Sequence, residues 1–163
     1  MRRGLVCAAV MVVALLVSVP LGTASGPPVG GQSMRLEASP QVAQAHRVRL
    51  TITLTYDMQC GFPGAGPLVV TFPSAMKLPK HFAAGSVKLS GKAIAAAVKG
   101  RRVTVMVPPH SGVLCGTIGP GRVTLTFTRA ARLANPAHAG SYPFAAAHAN
   151  HTFRAKLVVE PAA

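Results

Sequence analysis

The chain has 163 residues, with 17 lysines and arginines against 3 acids, and a formal charge of +14. One domain of ordinary size fits that length. So few carboxylates argue against glycosidase-type chemistry, which needs two acids across a cleft, whereas the positive excess suits anionic partners and says nothing about fold.

Arg2 and Arg3 precede an apolar run from about Leu5 to Val19, followed by Pro20, Gly22 and the small residues Thr23-Ala24-Ser25. That order of positive end, apolar stretch and small-residue site is the pattern of a secretory signal peptide. The run is shorter than the roughly 20 apolar residues of a membrane span. Residues 1–25 are therefore expected to be removed after Ala24 or Ser25, which leaves no transmembrane span; an uncleaved anchor is the alternative. Cys7 leaves with this segment as apolar filler, and loss of Arg2 and Arg3 lowers the charge from +14 to +12. The expected location is secreted, at the cell surface or in the periplasm.

Residues 26–32 begin Gly-Pro-Pro-Val-Gly-Gly and read as a linker, with one β domain from 33 to 160. In RVRLTITLTY, Val48, Leu50, Ile52, Leu54 and Tyr56 fall on one face and Arg47, Arg49, Thr51, Thr53 and Thr55 on the other. Such alternation marks a strand with one buried and one solvated face. The same pattern puts Val103, Val105 and Val107 inward, then Val123, Leu125 and Phe127, then Phe153, Ala155, Leu157 and Val159. Shorter strands are expected at 34–38, 68–72, 87–90 and 142–147. The alanine-rich stretch 93–99 is also read as a strand, because it covers barely two helical turns between Gly91 and Gly100.

Turn chemistry separates these runs at Gly61-Phe62-Pro63-Gly64, Ser90-Gly91-Lys92, Lys99-Gly100-Arg101 and Gly119-Pro120-Gly121. A polar turn on Asn135-Pro136 and a restart at Gly140-Ser141 separate the last strands. Seven to nine short strands without helices indicate an all-β, antiparallel sandwich; a closed barrel is the structural alternative.

Several short words occur in a fixed order: VTFPS at 70–74, Lys77-Leu78-Pro79, SVKLSG, RRVTVMVP, VTLTF, Leu133-Ala134-Asn135-Pro136 and Ala139-Gly140-Ser141-Tyr142. Together, across Arg47 to Val159, they resemble the immunoglobulin-like β-sandwich modules of bacterial secreted and cell-surface proteins. The resemblance implies an extracellular, non-catalytic module with a binding or structural accessory role. Two departures stand out: one module only, and cysteines where the pattern has none.

If the strands run up and down, their connections alternate between two ends. One end collects 57–66, Gly91-Lys92, 108–120 and 149–151; the other collects 39–46, 73–85, 99–101 and 129–140. Cys60 and Cys115 then share an end, and an even count in an exported chain favours a disulfide between them. It would close a loop of about 55 residues, worth on the order of 4 kcal/mol in the chain-entropy model.

Asp57, Met58, His110, His148 and His151 lie near that same end. Their chemistry suits copper or zinc, yet no metal-binding spacing is present, and surface histidines are the plainer reading. No cofactor is expected.

The opposite end gathers Arg47, Lys77, Lys80, Lys99, Arg101, Arg102, Arg129 and Arg132. Unpaired bases there would attract an anionic envelope polymer, a lipid headgroup or another envelope protein. The competing explanation is that they keep turns soluble and strand edges unpaired. Nucleic acid is disfavoured, because Trp is absent and both tyrosines fall on core faces. Ser111 beside His110 is a dipeptide, not a triad signal, and Gly119-Pro120-Gly121 leads into a strand rather than a phosphate-binding helix.

Overall fold

The computed structural model describes residues 32–56, 65–109 and 121–162. Eleven strands are formed there: β1 (Ser33–Ser39), β2 (His46–Tyr56), β3 (Gly66–Thr71), β4 (Val87–Leu89), β5 (Lys92–Ala93), β6 (Ala96–Lys99), β7 (Arg102–Val107), β8 (Gly121–Phe127), β9 (Leu133–Ala134), β10 (Gly140–His148) and β11 (His151–Val159). The surplus over the expected seven to nine comes from two-residue pieces, β5 and β9. A single 3-10 turn, Arg129–Ala131, interrupts the strands.

The strands form two antiparallel sheets. One has the order β1-β2-β8-β4-β5, with β9 alongside β2; the other has the order β11-β10-β3-β7-β6. Their inner faces supply the core. Val48, Leu50, Ile52, Leu54 and Tyr56 of β2 are buried, as are Val123, Leu125 and Phe127 of β8 and Val103, Val105 and Val107 of β7. Each alternating run thus removes one whole apolar face from water, worth roughly 1.5–3 kcal/mol per large side chain.

Both open sides are managed. On one side, β1 lies beside β11, and Val42 bridges Glu160 through backbone bonds from Ala43 N–H to Glu160 O and from Glu160 N–H to Gln41 O, both 2.8 Å. On the other, the chain changes sheets. Ile94 N–H still donates to Val87 O at 3.0 Å, while Ala96 pairs with Val105 in the opposite sheet. The stretch 93–99, read as one strand, is therefore two, broken at Ile94-Ala95. Alanines give no alternation strong enough to reveal the crossover.

Aromatic rings fill the ends of the core. Phe72, just past β3, meets Phe127 at 5.5 Å and Phe144 of β10 at 5.1 Å between ring centroids. At the other end Tyr56 stands edge-on to Phe153 at 4.9 Å.

The Asn135-Pro136 turn is not a solvated bend. Asn135 is buried, and its Nδ2 donates to Pro40 O at 3.0 Å and Val42 O at 2.9 Å. Its backbone N–H donates to Ala45 O, and Gln44 N–H donates to Pro136 O, each at 2.9 Å. This clamp fixes the approach into β2.

Candidate functional site

Strand direction places residues at the two ends much as up-and-down connections require. The turn at Ser90-Gly91 is the exception. β4 pairs only with the 125–127 part of β8, and Ser90 N–H donates to Thr124 O at 2.7 Å. This turn therefore stops halfway along the sheet, and Lys92 does not reach the Tyr56 end.

The proposed basic set divides in two. Lys99, Arg102 and their neighbours lie on the outer face of the five-stranded sheet. Register places Arg154, Ala145, Thr71, Arg102 and Lys99 in one row across β11, β10, β3, β7 and β6. At about 4.8 Å per strand, Arg154 and Arg102 stand about 14 Å apart and Lys99 is one step further. Lys156, two residues along β11, shares the solvent face with Arg154. Both line a shallow depression of about 680 Å³ with Arg101, Phe72, Pro73 and Tyr142. Arg154 and Lys156 alternate with the inward Phe153, Ala155 and Leu157 of the last strand, but loop parity could not join them to Lys99 and Arg102. Sheet order does.

Lys99 lies directly opposite Arg102. Like charges facing each other across an antiparallel pair are destabilising, so this row carries an electrostatic cost. Among the described residues no ion pair offsets it: Glu37 is paired to Arg35 at 3.0 Å on the other sheet, and Glu160 lies just past the end of β11, six residues along the strand from Arg154.

Arg47, Arg129 and Arg132 form the second group. They line a groove of about 890 Å³ with His46, His81, Phe82, Pro40 and Pro79. Lys80 sits between two of its lining residues, and Lys77 forms an isolated bridge to Ala134. His46 and His81 carried no sequence signal, because only the folded loops bring them beside the arginines.

The Tyr56 end holds an aromatic cluster. His148 is buried, and its Nδ1 lies 3.0 Å from the Tyr56 hydroxyl, while Nε2 has no hydrogen-bond partner among the described residues. Burial, then the nearby His151, push the His148 pKa below its usual value. Burial raises Tyr56 to about 12. His151 is half-buried, with Nδ1 2.6 Å from Gln32 Nε2. His148 is thus a core residue rather than a surface histidine. Asp57, Met58, Cys60, His110 and Cys115 lie outside the described residues, and with them the disulfide and most of the candidate metal ligands. Among the described residues no three His, Cys, Asp or Glu side chains gather as a metal site. No described helix is long and apolar enough to cross a membrane.

No protein-family model matches this chain, and no curated protein matches it by sequence. Among solved structures it is similar to BslA, a bacterial hydrophobin, at 19% identity and a TM-score of 0.54, covering 81% of this chain and 100% of that one. A looser similarity, with a TM-score of 0.46 and 11% identity, is to BcpA, the major pilin subunit of Bacillus cereus, over 80% of this chain and 40% of that one. The first likeness supports the all-β sandwich as the fold.

Proposed function

We propose that the chain is an exported, non-enzymatic β-sandwich that attaches to an anionic polymer of the cell envelope through the outer face of its five-stranded sheet. The single observation that supports this reading most is the pairing of Lys99 with Arg102. A solvated face kept only for solubility gains nothing from like charges in register, whereas a polyanion turns that repulsion into attraction. Arg154 extends the same row and Lys156 and Arg101 border it, so an extended chain of negative charges meets several bases at once.

The test is retention of the mature protein on dextran sulfate against neutral dextran, eluted with salt. Exposed charges are screened within about 10 Å at 0.1 M salt, so the wild type elutes late and salt-dependently. Lys99→Gln, Arg102→Gln and Arg154→Gln together move elution to markedly lower salt. Unchanged elution of the triple variant overturns the reading.

One observation favours a second reading, surface activity like that of the bacterial hydrophobin. Met106 is 59% exposed and pairs across strands with Pro67, while Val69 pairs with Ala147 on the same outward face. Beyond the basic row, toward Met106, this face is uncharged, with Met106, Pro67, Val69 and Ala147 set among Thr104 and Thr152. Lowering of surface tension at an air–water interface, reduced by Met106→Ser with Val69→Thr, tests it; equal surface activity in that variant removes it.

A further inference from the structure

Two arginines of the 890 Å³ groove occupy backbone conformations that ordinarily belong to glycine. Arg47 has φ +55°. It is the extra residue of a β-bulge, because His46 pairs with Ala134 and Val48 with the adjacent Leu133. A bulge residue in the left-handed region is characteristically Gly. Arg132 ends the 3-10 turn Arg129–Ala131 at φ 54°, ψ 35°, the left-handed capping position where Gly is again the usual residue. A Cβ there is sterically costly. Strain at non-glycine positions persists where the surroundings enforce it, and it concentrates at functional sites.

Both strained residues line the same groove. Arg129 joins them there, and His46 and His81 complete a polar lining that contains no carboxylate. Arg129 also borders a separate depression that includes Glu37, but Glu37 is held by Arg35 at 3.0 Å. None of the three guanidiniums has an ion-pair or hydrogen-bond partner among the described residues. The remaining walls, Phe82, Pro40 and Pro79, are apolar.

We infer that this groove is a binding site for a sugar phosphate unit, with the phosphate held by Arg47, Arg129 and Arg132 and the sugar ring laid against Phe82. The chemistry follows from the lining. Three guanidiniums match a phosphate, which carries close to two negative charges and several acceptor oxygens and accepts paired N–H bonds. A single carboxylate would leave most of that positive charge unmatched. The volume lies in the range of small-molecule sites and exceeds what a bare phosphate fills. Phe82 and the prolines offer a flat apolar wall for the C–H face of a sugar. This site is distinct from the basic row on the sheet, and either can fail without the other.

The experiment is calorimetric titration of the mature protein with glucose 1-phosphate, inorganic phosphate, glucose and glucuronate. The expected result is glucose 1-phosphate binding at least tenfold more tightly than each of the others. Equal binding of inorganic phosphate, equal or tighter binding of glucuronate, or no binding of glucose 1-phosphate overturns the assignment. Arg47→Gly and Arg132→Gly provide the second arm. Each relieves a strained backbone, so each is expected to keep or raise the melting temperature while weakening glucose 1-phosphate at least tenfold. Arg129→Gln, at a position with no left-handed backbone, gives the same loss independently of strain. Undiminished binding in all three variants overturns the proposal. Their elution from dextran sulfate stays close to wild type, which separates this site from the sheet face.

Discussion

The Tyr56 hydroxyl lies 3.0 Å from Nδ1 of His148, joining the last residue of β2 to the last residue of β10 across the two sheets. Both side chains are buried, and His148 Nε2 has no partner among the described residues. Protonating the ring would place a charge and an unmatched donor in the core. The native state therefore binds the His148 proton less readily than the unfolded chain. That contribution to stability is fully present above the unfolded value of about 6.5 and is lost as pH falls from there through the lowered native value. The melting temperature should decline as pH falls below about 6.5. His148→Gln, which cannot titrate, should flatten that limb; an identical decline in the variant would assign the acid sensitivity elsewhere.

His148 also shows where sequence reading stops. The expected strand stopped at Ala147 and left His148 as a surface histidine, whereas β10 runs on to His148, which shares the inward parity of Phe144 and Ala146. Its role was not legible either, since only the pairing of β10 with β3, and the stacking of the two sheets, bring it to Tyr56. The long alternating runs of β2, β7 and β8 declare their buried faces without help. Residues 93–99 do not, because alanine fits either face and the change of sheet is a tertiary event. Arg47 was readable as a solvent-facing residue at the start of a strand and Arg132 as a basic loop residue. Nothing in an arginine announces a left-handed backbone, so the groove they form had no signal in the chain.

Phe72 contacts Phe127 in one sheet and Phe144 in the other. Its ring is almost fully buried. Phe72→Ala should cost about 3–5 kcal/mol, the usual range for a core phenylalanine, and Phe72→Leu distinctly less. Denaturant titration with an unchanged m-value measures it. A loss below about 1 kcal/mol would mean that the two sheets are held together elsewhere.

Asn135 donates both amide hydrogens to the carbonyls of Pro40 and Val42. Asn135→Ala leaves these acceptors without that donor and should cost about 2–3 kcal/mol. Asn135→Asp should be worse than Ala near neutral pH, because a carboxylate cannot donate to two carbonyls and would bury a charge. Thermal unfolding of the three proteins at pH 7 ranks them, and an Asp variant more stable than the Ala variant would contradict the clamp.

Arg35 and Glu37 form an ion pair at 3.0 Å with both side chains mostly exposed, 79% and 58%. Exposed pairs of this kind contribute about 0–1 kcal/mol. Glu37→Gln should change stability by less than about 0.5 kcal/mol, with no dependence on salt beyond that of the wild type. A larger loss would show that Glu37 restrains Arg129 as well, which lines the same depression.

Lys99 and Arg102 set stability against binding. The two bases face each other in register on β6 and β7, and β6 is the outer strand of its sheet. Arg102→Thr removes the repulsion and supplies a β-branched residue that suits an exposed strand position. The variant should be more stable by about 0.2–1 kcal/mol at low salt, with the gain shrinking as salt screens the pair. The same substitution should lower the salt needed to elute the protein from dextran sulfate. A variant both less stable and equally well retained would mean that the arginine stem packs on the sheet, and that the row serves the fold rather than a polyanion.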